Sequence, residues 1–240
     1  VCDDGLSNGE ASQVTNRSHY YFQGGIENFH LGLLPQAKMM FLNCIECDPN
    51  HAEAYNLLGV VCFRRKEYAD SLKYLKMAIN LKPKEAFYYN NCGVAAHAAK
   101  FHEEAKLYFS WAIDIDPIYP DPYNNLGNLF SDCFLFDDAI RCYRQALTRN
   151  PTFAEACFNL ALVLERKQYR IEAIYYYQQT VKMRPDHLKA HLRLAELLPK
   201  TDRANAAKEH RQEAAHLQPL QKPFYLDTPI WSPPTYKGLF

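Results

Sequence analysis

The stretch AEAYNLLGVVCFRRKEYADSLKYLKMAINLKPKE, residues 52–85, decides the fold. In each half the apolar residues recur three or four apart, which is helical spacing. Small residues stand at Gly59, Ser71 and Ala78, where they let two helix backbones approach; Tyr55, Leu58 and Leu75 fill the seams beside them. Pro83 cannot continue a helix and ends the second one.

Outward from this stretch the register repeats. Pro49, Pro83, Pro117, Pro151, Pro185 and Pro219 are spaced 34 residues apart without slippage. With proline as position 32, position 8 reads Gly25, Gly59, Gly93, Gly127, Ala161 and Ala195, and position 20 reads Ala37, Ser71, Ala105, Ala139, Ala173 and Ala207. Position 24 reads Phe41, Leu75, Phe109, Tyr143, Tyr177 and Arg211. A fixed period of this length predicts stacked copies of one helix pair, each burying a face against its neighbours.

The pattern resembles the tetratricopeptide repeat, with an aromatic at 4, Leu at 7, Gly or Ala at 8, Ala at 20 and 27, and Pro at 32. The resemblance covers residues 18–219 as six repeats: 18–51, 52–85, 86–119, 120–153, 154–187 and 188–219. It implies an all-α, right-handed superhelical solenoid of antiparallel helix pairs. Residues 1–17 are polar and read as a flexible lead-in. Repeat one is atypical, loosened by Gly24, Gly25, Gly32 and Pro35. Repeat six ends in a polar helix, about Asp202 to His216, that reads as a solvent-facing cap. Residues 220–240 break the period with four prolines and five aromatics, and read as an extended tail that packs on the last repeat, leads into another domain, or docks in a groove and supports self-association.

Composition excludes several classes. Lys plus Arg and Asp plus Glu are 27 each, without the basic excess of a nucleic-acid binder. No apolar run is long enough to insert in a membrane. A start at Val1 reads as a fragment or processed chain. Of eight cysteines, Cys44 and Cys47 form a CxxC, yet both hold packing positions and nothing completes a metal set. Buried thiols in a reducing compartment, cytoplasmic or nuclear, are expected, with Cys133 the most exposed. Asn16-Arg17-Ser18 is a formal glycosylation sequon with no secretion signal beside it. Nine dispersed histidines and the absence of a phosphate loop, HExxH or serine elbow point to no catalysis and no cofactor.

The resemblance implies that the first helix of each pair lines a concave surface through positions 2, 5, 6, 9, 12 and 13. Position 6 places Asn91, Asn125 and Asn159 in three consecutive repeats, with Asn124 and Asn128 extending the strip. An amide offers a donor and an acceptor, matching the backbone of an extended peptide. This resembles the asparagine ladder of the O-GlcNAc transferase superhelix and the asparagines of the peroxisomal import receptor. Asn128, Asn159, Lys189 and Arg193 also resemble the carboxylate clamp of co-chaperones, whose fifth position, a lysine, is Asn124 here. Lys189 and Arg193 are expected either to read an acidic side chain or to pair with Asp121, Asp132, Glu155 and Glu165 across the groove.

The expected function is therefore a non-catalytic interaction scaffold holding a partner's extended peptide. Alternatives are the substrate-recruiting arm of a larger, glycosyltransferase-like enzyme, a co-chaperone clamp, and a structural subunit of an assembly.

Overall fold

Proline at position 32 works as punctuation because the residue before it prepares the stop. Asp48 Oδ1 accepts the Asn50 N–H at 3.0 Å, Asp116 Oδ1 the Ile118 N–H at 3.1 Å, and Asn150 Oδ1 the Thr152 N–H at 3.1 Å. These Asx turns span the proline and carry the chain into the next helix. The computed structural model describes residues 8–198 and 204–218. Among them are twelve helices and no strand: α1 (Asn8–His30), α2 (Leu34–Cys47), α3 (Ala52–Arg64), α4 (Tyr68–Leu81), α5 (Ala86–Ala98), α6 (His102–Ile115), α7 (Pro120–Asp132), α8 (Phe136–Arg149), α9 (Ala154–Arg166), α10 (Arg170–Met183), α11 (Leu188–Leu197) and α12 (Ala204–Leu217). The chain is all-α, built of sequential helix pairs.

Two units divide these helices, residues 8–115 with α1–α6 and residues 116–218 with α7–α12. In the first, α1 packs on α2, α3 on α4 and α5 on α6, and α2 and α4 each touch the helix that follows. The second repeats this order from α7 to α12. The first helix starts at Asn8, so residues 8–17, read from sequence as part of a flexible lead-in, are helical. Residues 1–7, Asp202 and the tail 220–240 lie outside the described residues.

The five pairs from α1 to α10 close on the same turn. Gly32, Lys66, Lys100, Phe134 and Gln168, all at position 15, adopt φ between 61° and 74°. In the turn after α5 the Lys100 N–H bonds the His97 carbonyl at 3.0 Å and the Phe101 N–H bonds the Ala96 carbonyl at 2.9 Å, a Schellman closure. Gly32, which reads from sequence as loosening repeat one, is therefore the residue best suited to this position. The other four bear the cost of a side chain in the left-handed region. Lys100→Gly is expected to stabilise the first unit by about 0.5–1 kcal/mol, the relief of that strain less the added entropy of glycine. Denaturant unfolding measures it.

In the first four pairs, position 24 fills a notch that glycine at position 8 leaves open. A Cβ built on Gly25 would lie 2.5 Å from Phe41 Cε1, on Gly93 2.4 Å from Phe109 Cε1, and on Gly127 2.6 Å from Tyr143 Cε1. Positions 20 and 27 are covered: Ala37, Ala105, Ala139, Ala78, Ala112 and Ala146 are fully buried. Thiols join this packing. Burial pushes Cys62 and Cys92 up to about 12 and Cys142 and Cys157 up to about 11, so they behave as small apolar side chains. Cys133 is exposed.

The last pair is held partly by imidazoles. His191 on α11 bonds through Nε2 to the Pro185 carbonyl at 2.9 Å, and its Nδ1 faces His210 Nδ1 of α12 at 3.0 Å. Because a carbonyl only accepts, Nε2 carries the hydrogen, and Nδ1 accepts from His210. Burial, then the neighbouring ring of His191, holds His210 below the ordinary imidazole value, against a smaller upward pull from Glu209. His187 is lowered by burial and by Arg184, and its Nδ1 caps α11 by accepting the Ala190 N–H at 3.1 Å. With folded values below unfolded ones, the folded state binds fewer protons on acidification. Its stability is complete above about 6.5, the ordinary imidazole value, and falls as pH drops through it. Amide exchange in α12, corrected for intrinsic rate, is expected to accelerate between pH 7.5 and pH 5.5, and His210→Gln to flatten that dependence.

Candidate functional site

First helices of neighbouring pairs meet through amides. In the first unit α3 touches α5, and Asn91 Nδ2 donates to Asn56 Oδ1 at 2.9 Å. Both side chains are buried at 2% exposure, and Asn91 Oδ1 is covered without a hydrogen-bond partner among the described residues. In the second unit α7 touches α9 by the same positions. Asn159 Nδ2 donates to Asn124 Oδ1 at 3.1 Å and to Asn128 Oδ1 at 3.0 Å, and Tyr143 Oη also donates to Asn128 Oδ1, at 2.8 Å.

This geometry sorts the residues singled out from sequence. Asn124 and Asn125 are 1% and 3% exposed and lie in the seam between helices. Asn128 and Asn159 are half-buried. Both hydrogens of Asn159 Nδ2 and both acceptor sites of Asn128 Oδ1 are used inside the protein. What is left on this pair is the Asn128 Nδ2 donor and the Asn159 Oδ1 acceptor, on two amides joined by a 3.0 Å bond. Asn91 belongs to the first unit, in its own amide pair with Asn56.

Lys189 and Arg193 stand on α11, Lys189 exposed and Arg193 half-exposed. Arg193 Nη1 pairs with Glu196 Oε2 at 2.9 Å and approaches Glu165 Oε1 at 3.9 Å. The other oxygen of Glu165 accepts from Tyr177 Oη at 2.7 Å. Of the two uses expected for Arg193, pairing with a groove acid is thus seen within the protein. Glu155 is paired with Arg184 at 2.6 Å, and Asp121 is pushed up by burial and, more weakly, by Glu155.

Tyr143 and Tyr177 were not singled out from sequence. Their signal was the change at position 24 from Phe41 and Phe109 to tyrosine, since a hydroxyl taken into a core needs a partner. The partners are Asn128 and Glu165 on the facing first helices.

Comparison with protein-family models matches residues 40–73, 120–153 and 154–187 to the tetratricopeptide repeat. The chain is a tetratricopeptide-repeat protein. The matches at 120–153 and 154–187 each begin at the first residue of a first helix, α7 and α9. Comparison with curated proteins finds no match. Among solved structures, this tetratricopeptide-repeat protein is similar to pilF of Pseudomonas aeruginosa, at 22% identity and a TM-score of 0.70 over 87% of this chain and 100% of that one. It is similar to TTC0263, a thermophilic TPR protein of Thermus thermophilus, at 20% identity and 0.65 over 75% of this chain and 98% of that one. It is similar also to YrrB, described as a TPR protein with an unusual peptide-binding site, at 21% identity and 0.54 over 75% and 92%. At these identities the likeness is one of fold. No helix among the described residues is long and apolar enough to cross a membrane.

Proposed function

We propose that the chain is a non-catalytic interaction scaffold that holds an extended peptide of a partner protein along the first helices of its second unit, α7, α9 and α11. One observation carries the reading: after the internal amide bonds are made, the two bonded amides of Asn128 and Asn159 retain a donor group, Asn128 Nδ2, and an acceptor, Asn159 Oδ1. A peptide unit presents the complementary acceptor and donor. Asn124 and Asn125 act beneath this pair, holding it in place, and Asn91 does the same for Asn56 in the first unit. A backbone grip of this kind has little sequence preference, so selectivity falls to the flanking charges. Lys189 and Arg193 supply cations, and an acidic ligand side chain would exchange with Glu196 or Glu165 for Arg193. Recognition of a peptide-binding site in YrrB, a protein of the same fold, is consistent with this use of the repeats. Buried thiols suit a reducing compartment, the cytoplasm or nucleus.

Selection from a random display library of linear peptides on the immobilised chain tests the proposal. Enriched peptides should bind the intact chain and lose affinity about 5–10-fold in Asn128→Ala, the loss of one or two backbone hydrogen bonds. Arg193→Glu should remove the acidic peptides first. Enrichment that survives both substitutions would place recognition elsewhere.

A further inference from the structure

The first unit carries a second, different recess. A groove of ≈ 670 Å³ is lined by Lys76, Pro83, Tyr89, Tyr108, Trp111 and Asp114 among others. Trp111 is 45% exposed, a large indole left open to solvent. It stands edge-to-face against both tyrosines, at 6.1 Å and 77° from Tyr89 and 5.5 Å and 79° from Tyr108. Two near-orthogonal ring contacts of this kind form walls, and Asp114 adds an exposed carboxylate with no ion-pair partner among the described residues.

The next repeat shows what such a corner takes. There Tyr123, the equivalent of Tyr89, has the Arg149 guanidinium 3.8 Å from its ring centroid. Arg149 Nε donates to the Pro117 carbonyl at 2.6 Å, the same oxygen that accepts from Tyr123 Oη at 3.2 Å. Its Nη1 donates to Gln145 Oε1 at 2.7 Å. One repeat earlier the tyrosine and the carbonyl have counterparts, and the cation has none. Tyr89 Oη donates to the Pro83 carbonyl at 3.0 Å, which leaves that oxygen a second lone pair. Ile115 stands at the position of Arg149, Trp111 at that of Gln145, and Asp114 at that of Thr148. The arginine is gone, and an indole and a carboxylate have been added around the place its head would occupy.

We propose that this groove binds the guanidinium head of an arginine side chain from a partner protein, stacked on Tyr89 and against Trp111, donating to the Pro83 carbonyl and paired with Asp114. Ring faces attract cations, and a planar guanidinium also stacks and donates in its plane. The like charge in the lining, Lys76, is paired with Glu104 at 3.7 Å. The site uses none of the residues of the amide pair on α7 and α9 and does not depend on it.

The chain has two tryptophans, so Trp231→Phe leaves Trp111 as the only indole reporter. In that background N-acetyl-arginine methylamide is titrated against its neutral isostere, N-acetyl-citrulline methylamide, at constant ionic strength, with Trp111 emission as the readout. Arginine should bind saturably and about tenfold more tightly than citrulline, and Asp114→Asn should weaken it about threefold to tenfold. Ile115→Arg, which copies the arrangement of Arg149, should fill the groove and abolish the response while the helical circular dichroism stays unchanged. Equal binding of arginine and citrulline, no saturable response in the folded chain, or an Ile115→Arg variant that binds as before would each overturn the proposal.

Discussion

Phe109→Ala will destabilise the first unit by about 3–5 kcal/mol, the range for removing a buried phenyl ring. Phe109 is fully buried, and its ring occupies the notch opposite Gly93. Without it α5 and α6 face each other across a void bounded by Ala105 and Ala112, which are too small to fill it. The contact is tight from the other side too. A Cβ on Gly93 falls 2.4 Å from the ring, inside contact distance, so Gly93→Ala should cost about 1–3 kcal/mol. Residues 154–187 pair Ala161 with Tyr177, so a methyl is accommodated where the two helices are spaced for it. The Gly93→Ala and Phe109→Ala effects should therefore not add, because the cavity made by one receives the methyl of the other. Denaturant unfolding of the single and double variants gives the coupling.

Asn159→Ala will cost about 2–3 kcal/mol of stability and weaken peptide binding about tenfold. The side chain satisfies two carbonyl oxygens at once, Asn124 Oδ1 and Asn128 Oδ1. Asn128 keeps the Tyr143 hydroxyl, but Asn124, at 1% exposure, loses its donor and water does not replace it. Asn128→Ala should be milder, about 1–2 kcal/mol, because its partner Asn159 is half-buried and only the hydroxyl of Tyr143, a residue 2% exposed, loses a covered acceptor. The ordering of the two variants in unfolding, with Asn159→Ala the worse, checks which amide holds the seam.

The helix pairs were legible because they are written in residues whose effect is local. Proline stops a helix wherever it stands, and glycine opposite an aromatic implies a close approach between two adjacent helices. The turn at position 15 was not legible in the same way. Lys66, Lys100, Phe134 and Gln168 carry no sign of the left-handed conformation they adopt, and only Gly32 matches it. Residues 8–17 looked like a lead-in because they are polar, yet they continue α1. The asparagines are visible in the sequence as residues, but sequence shows that an amide has hydrogens and not where they go. Asn56 with Asn91, and Asn124 with Asn159, are pairs 35 residues apart, made by the packing of one repeat on the next. Only that packing separates the amides spent inside from the donor and acceptor left over. The aromatic groove was hidden for a related reason. Nothing in the sequence marks Tyr89, Tyr108 and Trp111 as a group, and it is Arg149, in the following repeat, that shows a cation seated on the matching tyrosine.

The proposed function rests on a grip on peptide backbone by the Asn128–Asn159 pair. Amide-to-ester replacement, one linkage at a time, along a peptide selected on the chain tests it directly, because an ester removes a backbone N–H and keeps the side chains. One position should lose about 3–10-fold in affinity on the intact chain, the worth of one hydrogen bond. The same ester should cost nothing further in Asn159→Ala, checked to be folded and measured at concentrations where residual binding is visible, since the acceptor for that N–H is then gone. Ester penalties that are absent at every position, or that persist unchanged in Asn159→Ala, would contradict a backbone grip by this pair.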